Sequence, residues 1–333
     1  MNAPPPSSSQ LAADWLALIR PDLERVEAQF QREAVSRVEA ITEISRYLQQ
    51  GGGKRLRPAL LLLAAGACGG AGSPQAIRLA AIVEMIHSAT LIHDDILDGA
   101  QTRRGRPATH LKWGSPASVL AGDWLYMQAF HSALRERSFE ILDILISLTQ
   151  QMVEGELKQR QMLGTVVTPE AHRELIERKT ACLFAAAARL GALAAGADPA
   201  RQERLAGFGR HLGMAFQMMD DILDFTASEA VLGKPVGSDL REGKMTLPAL
   251  YAYARADERD RAAFLAVMRD SAYAGASFDA ILASVRRHGG LDRARAESRR
   301  EAELAAACLP DLPPSPYRSA LELLPVLAVE REH

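Results

Sequence analysis

The chain has 333 residues, of which 48% are hydrophobic and 24% charged, so it can bury a substantial core. Its 39 basic residues nearly balance its 41 acidic residues, giving a net charge of -2, and this balance argues against nucleic acid as a partner. The apolar runs break at glycines before they reach the ~20 residues of a membrane-spanning helix. The composition therefore predicts a soluble globular protein without a transmembrane segment.

The N-terminus, MNAPPPSSSQ, contains neither the basic start nor the apolar segment of a secretory signal. We interpret residues 1–10 as a flexible tail and residues 11–333 as one domain of a cytoplasmic protein. The cysteines Cys68, Cys182 and Cys308 form no CxxC pair. We therefore expect them to be small, reduced core residues.

Helical signals continue along the whole chain, whereas the alternating pattern of β-strands is almost absent. Ser73-Pro74, Ser115-Pro116 and Thr168-Pro169 are each typical of an N-cap followed by proline in the first turn. Gly99 and Gly289 are typical of residues that end a helix. Between these signals apolar residues recur at three- and four-residue spacing. The pattern predicts about a dozen helices in one all-α bundle.

The pentapeptide DDILD occurs twice, at residues 94–98 and 220–224. The first and last aspartates of each copy are four residues apart, so they share one helix face. Clustered carboxylates repel one another and lose hydration beside apolar residues, so they need partners or a metal ion. Two such helices would surround a space with oxygen ligands that suit Mg²⁺ and a bridging phosphate. The alternative interpretation is two solvated helix ends.

Cations that can bind phosphate lie in several short motifs near glycines or helix ends. Each motif alone would be typical of a solvated surface, and GGGKRLRP lacks the spacing of a nucleotide-binding loop. Together with the aspartates they indicate two polyphosphate sites. His87, two turns before Asp94, and Gln217, three residues before Asp220, can each be ligands or interior polar residues. The candidate cations are Lys54, Arg57, Arg103, Arg104, Lys179, Lys234 and Lys244, with Thr180 beside Lys179.

These motifs resemble those of the trans-isoprenyl diphosphate synthases of the polyprenyl synthetase family. The resemblance extends from about Leu11 to the end of the chain, through GGGKRLRP, HSATLIHDDILDGAQTRRGRP, GDWL, RKT, FQMMDDILD and GKPVGSDLREGKMTLP. It implies an isoprenoid synthase bundle around a central cavity, with the aspartate-rich helices facing each other, in a homodimer. It also implies a prenyltransferase that joins isopentenyl diphosphate, head to tail and in trans, to an allylic diphosphate.

The resemblance further implies a role for each motif residue. Asp94, Asp98 and Asp220 would bind about three Mg²⁺ ions that hold the allylic diphosphate, and together with Lys179 and Lys234 they would be the catalytic residues. Asp221 and Asp224 would act through water or behind the ligands. Arg103, Lys179, Gln217 and Lys234 would contact the same diphosphate, and Thr180 and Lys244 also fit this site. Isopentenyl diphosphate would contact Lys54, Arg57, His87 and Arg104.

Product length in this family depends on bulky residues below the first aspartate motif. Short-chain members carry an aromatic residue four or five positions before the first aspartate, where this chain has Thr90 and Ala89. One turn deeper, Ile86 and Met85 are not aromatic either. A helix from about Gln75 to Asp98 would be ~36 Å long. We therefore expect a medium- or long-chain product of roughly six to eight isoprene units.

Three alternatives remain, namely a short-chain (farnesyl or geranylgeranyl) diphosphate synthase, a terpene cyclase and a non-catalytic partner subunit. Terpene cyclases typically resemble this chain at only one aspartate motif, and partner subunits usually lack one. The second DDILD copy and GGGKRLRP therefore favour condensation.

Overall fold

The computed structural model describes the backbone of residues 8–227, 236–270, 272–273 and 277–330, and the side chains of these residues from position 15 onward. Helices dominate the described residues, which confirms the predicted all-α class. The elements up to the first π-helical turn are α1 (Ser8–Glu33), α2 (Glu39–Gln50), α3 (Leu56–Ala67), α4 (Pro74–Leu97), β1 (Thr102–Arg103), β2 (Arg106–Pro107), α5 (Thr109–Trp113), α6 (Ser115–Leu134), α7 (Phe139–Met162) and α8 (Pro169–Ile176). They are followed by a π-helix (Glu177–Ala181), α9 (Cys182–Ala194), α10 (Pro199–Thr226), α11 (Ser238–Arg241), α12 (Leu247–Arg255), α13 (Glu258–Asp270), α14 (Phe278–Arg287), α15 (Gly290–Ala307) and α16 (Pro316–Val329).

The chain divides into two compact units. Unit 1 comprises Met1–Thr149, Leu183–Ala206 and Leu309–Leu323, and unit 2 comprises Gln150–Cys182, Gly207–Cys308 and Leu324–His333. In unit 1, α4 packs against α1, α3 and α6. Unit 2 has a core of its own, formed by apolar side chains that include Ile176, Met218, Phe225, Leu250 and Phe264.

Helix α4 is the central element of unit 1. By length and composition alone it could cross a membrane, but 72% of its most apolar window is buried inside the protein. Such burial is typical of the core helix of a globular protein. Its 24 residues correspond to a length of ~36 Å, as expected from the sequence.

Most of the predicted helix boundaries are confirmed. The hydroxyls of Ser73 and Thr168 accept the backbone N–H groups of Ala76 and Ala171 at 3.4 and 3.2 Å, as N-caps do. The prediction for Ser115 is wrong by one residue, because Gly114 is the N-cap and Ser115 is already helical.

The structure contains a short hairpin that the sequence did not predict. Strands β1 and β2 pair antiparallel, with Thr102 opposite Pro107. The two residues between the strands, Arg104 and Gly105, have φ angles of 53° and 73°, as a two-residue hairpin turn requires. The turn chemistry of these two residues creates the hairpin, and strands of two residues are too short to show an alternating pattern.

The helix around Lys179 is also less regular than its apolar spacing predicts. The spacing favours a continuous α-helix through residues 175–190, but Glu177–Ala181 form a π-helix between α8 and α9. Short π-helical segments occur frequently at functional sites because they widen one turn and redirect its side chains.

One further expectation is corrected. Cys182 is buried, but Cys68 and Cys308 are only partly buried, so the prediction of core cysteines is right for one of three. Of the predicted tail, residues 1–10, residues 8–10 are the first residues of α1. Its other residues lie outside the described part of the chain.

We expect Gly191→Ala in α9 to destabilise unit 1. An added Cβ would lie 2.3 Å from the Leu61 carbonyl oxygen and 2.9 Å from the Ala64 Cβ in α3, so the helices would have to separate, at a cost of about 2 kcal/mol. Gly207→Ala is the matched control, because its Cβ would meet Cys308 Sγ at an ordinary 3.5 Å. Urea unfolding should show lower stability for the first variant and unchanged or higher stability for the second.

Candidate active site

The first DDILD copy lies at the C-terminal end of α4. Asp95 is fully buried, Asp94 is half-buried, and Asp98 is exposed at the helix C-cap. A carboxylate at the negative end of a helix dipole is unfavourable unless a cation compensates it. Asp94 and Asp98 are therefore the members of this copy that a metal ion can reach.

Asp95 instead fixes a predicted diphosphate ligand. Arg103 Nε donates to Asp95 Oδ1 at 2.8 Å, and Arg103 Nη2 donates to the same oxygen. Because the Asp95 side chain is fully buried and that of Arg103 is 37% exposed, the pair compensates a buried charge while it leaves part of the guanidinium accessible. The middle aspartate thus orients an arginine of the hairpin.

Arg104, next along the hairpin turn, reaches the glycine loop. Its Nη1 donates to the carbonyl of Gly52. Burial, reinforced by the cation of Arg55, lowers the pKa of Arg104. Guanidinium groups held this close repel one another, and a bound diphosphate would relieve the repulsion.

The hairpin itself is held by an aromatic cluster. Arg106 lies over the ring of Tyr47 with its guanidinium carbon 3.8 Å from the centroid, and its Nη1 donates to the Tyr47 carbonyl at 3.0 Å. Tyr47 Oη donates to the Pro107 carbonyl at 2.9 Å, and Trp113 meets the ring edge-on at 5.0 Å. These contacts stabilise the turn that presents Arg103 and Arg104.

His87 lies beside the predicted cations of unit 1. Arg57 Nη1 is 3.1 Å from His87 Nε2, and since a guanidinium can only donate, Nε2 accepts and the ring proton resides on Nδ1. Desolvation, followed by the positive charges of Arg57 and Arg104, lowers the pKa of His87 well below its ordinary value. A neutral His87 can therefore donate to a diphosphate only through Nδ1.

The sequence reasoning missed an ion pair behind this cluster. Arg55 Nη1 donates to Glu84 Oε1 at 2.6 Å, with the two side chains 12% and 7% exposed. Burial raises the pKa of Glu84, and Arg55 opposes that shift. Arg55 itself has a left-handed conformation, with φ 46°, and is the N-cap of α3. A charged residue inside the apolar stretch of α4 was the available signal, because a buried carboxylate needs a partner.

The second DDILD copy lies near the C-terminal end of α10 in unit 2. Here too the middle aspartate is buried, at 3% exposure. Asp221 Oδ2 lies 2.9 Å from His172 Nε2, and Gln217 Nε2 donates to Asp221 Oδ1 at 3.1 Å. The hydroxyl of Thr180 donates to Gln217 Oε1 at 3.0 Å. Gln217, ambiguous from the sequence, thus connects Asp221 with the π-helix, whereas no sequence signal singled out His172.

The last aspartate of the second copy is an anchor for the following segment. Asp224 is fully buried, accepts the Ser238 hydroxyl at 3.0 Å and accepts the backbone N–H of Asp239 at 3.3 Å. Asp220, by contrast, is half-buried. Asp224 therefore fixes the start of α11, and Asp220 is the aspartate of this copy that is accessible to a metal ion.

A cavity of about 180 Å³ lies within unit 2. Four predicted ligands of the allylic diphosphate line it together with Asp221 and Asp239, and its other walls are mainly apolar. The four are Lys179, Thr180, Gln217 and Lys244. A fifth, Lys234, lies outside the described residues.

The predicted chain-length residues lie on the buried part of α4. Met85, Ile86 and Ala89 are each 0% exposed. Thr90 is half-buried and donates its hydroxyl to the His87 carbonyl at 2.7 Å. The α4 side chains before the aspartates therefore belong to the core of unit 1.

The donor set fits a hard divalent cation. Asp94, Asp98 and Asp220 offer carboxylate oxygens at accessible positions, and Mg²⁺ is usually bound by one or two carboxylates plus phosphate oxygens and water. Among the described residues no three His, Cys, Asp or Glu side chains are grouped so that they could hold a metal ion by themselves. Diphosphate oxygens and water would supply the remaining ligands.

Comparison with known proteins identifies relatives over most of the chain. The family model described as Polyprenyl synthetase matches residues 38–285. An octaprenyl diphosphate synthase of Haemophilus influenzae is 38% identical over 317 residues, which cover 95% of this chain and 96% of that protein. A geranylgeranyl diphosphate synthase of Methanosarcina mazei is 44% identical over 232 residues, 68% of this chain and 71% of that protein.

A solved structure has the same fold. The polyprenyl synthase of Caulobacter crescentus, complexed with calcium and isoprenyl diphosphate, superposes with a TM-score of 0.92 at 37% identity and covers 100% of both chains.

We expect His87 to make the protein less stable in acid. The folded chain keeps His87 neutral because its pKa is lowered, whereas the unfolded chain takes up a proton below about pH 6.5. Stability therefore falls as pH falls through that value. From pH 7.5 to 5.5 the wild-type chain should lose about 1 kcal/mol more than His87→Gln. Urea unfolding at both pH values measures this, with the exposed His131→Gln as control; equal losses in wild type and His87→Gln would contradict it.

Proposed function

The chain belongs to the polyprenyl synthetase family, and on that premise we propose that it condenses isopentenyl diphosphate with an allylic diphosphate. The condensation is head to tail and in trans, and the product is a medium- or long-chain polyprenyl diphosphate. The observation that carries the proposal is the grouping of predicted ligands inside each unit. Arg57, His87, Arg103 and Arg104 come together in unit 1, and Lys179, Thr180, Gln217 and Lys244 line one cavity in unit 2.

In this proposal Asp94, Asp98 and Asp220 hold about three Mg²⁺ ions with the allylic diphosphate. When bound, the metal would neutralise negative charge on the leaving diphosphate. Arg103, Lys179, Gln217 and Lys234 contact the same diphosphate, with Thr180 and Lys244 close by. Preorganised cations of this kind lower the barrier because they bind the departing diphosphate more strongly than the intact ester.

Isopentenyl diphosphate would lie against Lys54, Arg57, His87 and Arg104. The excess positive charge around His87 supports this assignment, because the ring stays neutral and keeps one N–H for a phosphate oxygen. The bound substrate then attacks the allylic cation through its double bond and loses a proton. Its diphosphate serves as the anchor that orients this attack.

The direct test is incubation of the purified protein with labelled isopentenyl diphosphate, Mg²⁺ and an allylic primer. Chromatography of the dephosphorylated products then gives the chain length. Transfer of label into one extended product supports a synthase, label-free cyclic products would support a terpene cyclase, and no turnover would support a non-catalytic subunit. The Methanosarcina mazei relative favours a short-chain product as the second candidate.

We also propose that the enzyme is a cytoplasmic homodimer. Three large apolar side chains recur at seven-residue intervals on α6, and Leu120, Met127 and Leu134 are 63%, 62% and 50% exposed. A helix stripe of this kind is typical of an interface between protein chains. Sedimentation velocity at micromolar concentration tests the proposal.

We expect Asp94→Ala and Asp220→Ala each to lower turnover about a thousandfold or more. Each change removes a metal ligand from an accessible position, so the melting temperature should stay near that of the wild-type chain. Asp292→Ala is the control, since that carboxylate is 86% exposed on α15. Steady-state assays across Mg²⁺ concentrations measure the effect, and near-normal turnover of either variant at low Mg²⁺ would refute the metal assignment.

We expect Ala89→Phe to shorten the product from roughly six to eight isoprene units to about three or four. Ala89 lies five residues before the first aspartate on the buried part of α4, so an aromatic ring there would block the growing chain near the diphosphate. The smaller Ala89→Leu should give intermediate lengths. Product chromatography decides the matter, with a melting curve for each variant to check folding. If a folded Ala89→Phe variant gave an unchanged product, the growing polyprenyl group would have to extend along a route that does not pass Ala89.

A further inference from the structure

Lys179 is held from two sides by residues of one helix. Its Nζ lies 2.6 Å from Glu156 Oε2 and donates to Gln159 Oε1 at 3.1 Å. Both partners belong to α7, one turn apart. The contact with Glu156 is an ion pair and the contact with Gln159 is a hydrogen bond. An ammonium group has three N–H donors, so Lys179 can still donate to another ligand.

A close approach of backbones places Glu156 beside Lys179. The preceding residue in α7 is Gly155, where a Cβ would lie 3.1 Å from the Lys179 backbone nitrogen and 3.1 Å from Arg178 Cβ. Any larger residue would push the π-helix away from α7. The absence of a side chain at Gly155 therefore permits the short distance between Glu156 and Lys179.

Glu156 stands behind the cavity, and Lys179 and Gln159 line it. The Glu156 side chain is 16% exposed and that of Lys179 is 24% exposed. A second carboxylate on α7, Glu154, precedes Glu156 by two residues. It is 62% exposed and pairs with Arg178 at 2.6 Å, so it differs from Glu156 both in its burial and in its partner. Of these two pairs, the one of Glu156 with Lys179 includes a residue that lines the cavity.

We infer that Glu156 is a positioning residue for diphosphate binding, which holds the Lys179 ammonium by charge attraction so that an N–H donor of Lys179 meets a phosphate oxygen. The inference rests on the proposed role of Lys179. A lysine ammonium group stands on a flexible stem of four carbons, so the side chain has a large conformational entropy. A carboxylate and an amide that fix its end reduce the entropy lost on binding, so affinity increases without a further contact to the ligand.

The test measures binding of inorganic diphosphate with Mg²⁺ by calorimetry, together with steady-state kinetics. Glu156→Gln keeps the shape and removes the charge, and Glu154→Gln is the matched control. Glu156→Gln should weaken diphosphate binding about tenfold and raise the KM for the allylic substrate similarly. The KM for isopentenyl diphosphate and the melting temperature should not change, and Glu154→Gln should match the wild-type chain throughout.

A double-mutant cycle with Lys179→Met separates positioning from a structural role. If Glu156 acts through Lys179, Glu156→Gln should add no further loss in the Lys179→Met background. A full tenfold loss there, or wild-type affinity of Glu156→Gln alone, would overturn the inference. Glu156→Asp keeps the charge and should recover part of the affinity; affinity no better than that of Glu156→Gln would also overturn it.

The cycle also distinguishes this inference from the proposed function. Wild-type diphosphate affinity in Lys179→Met would remove Lys179 from the allylic site and the inference with it. Weak binding by Lys179→Met together with normal binding by Glu156→Gln would overturn the inference alone.

Discussion

A charge buried beside apolar helices needs a partner, and this requirement determines much of the candidate active site. Asp95 is compensated by Arg103, Glu84 by Arg55, and Asp221 by His172 and Gln217. Arg103, Arg55 and His172 each come from a different segment, so each pair fixes that segment relative to the helix that carries the carboxylate. A buried carboxylate is costly unless it is paired. The pairs that result hold Arg103 and Gln217, which are proposed to contact the substrate.

Several cations of unit 1 act on one imidazole ring. Burial, and then the charges of Arg57, Arg104, Arg103 and Arg55, lower the pKa of His87. The mutual repulsion of these cations is present in the folded chain without a ligand, and a bound anion such as diphosphate would reduce it. In unit 2 the corresponding feature is the ion pair of Lys179 with Glu156, which orients one cation at a cavity wall.

Backbone irregularities occur where these charged side chains are presented. Arg55 and Arg104 have positive φ angles, and Lys179 lies on a π-helix. A left-handed conformation such as those of Arg55 and Arg104 costs roughly 1–3 kcal/mol in a residue other than glycine and persists only when surrounding contacts compensate it. Here the Glu84 pair, the cluster around Tyr47 and the close approach at Gly155 supply those contacts. The helices thus support a few positions of unusual backbone conformation that carry the cations of the proposed site.

The sequence by itself determined the all-α class, the caps at Ser73 and Thr168, the extent of α4 and the two DDILD copies, because each depends on residues within a turn or two of each other. Tertiary structure decided which aspartates of each copy are buried, and it created the pairs of Arg55 with Glu84 and of His172 with Asp221. These partners are 29 and 49 residues apart, and no local pattern encodes such distances. The apolar spacing likewise did not indicate the π-helix. Its widened turn accompanies the packing of α7 against it at Gly155, and this is a tertiary contact that local spacing does not encode.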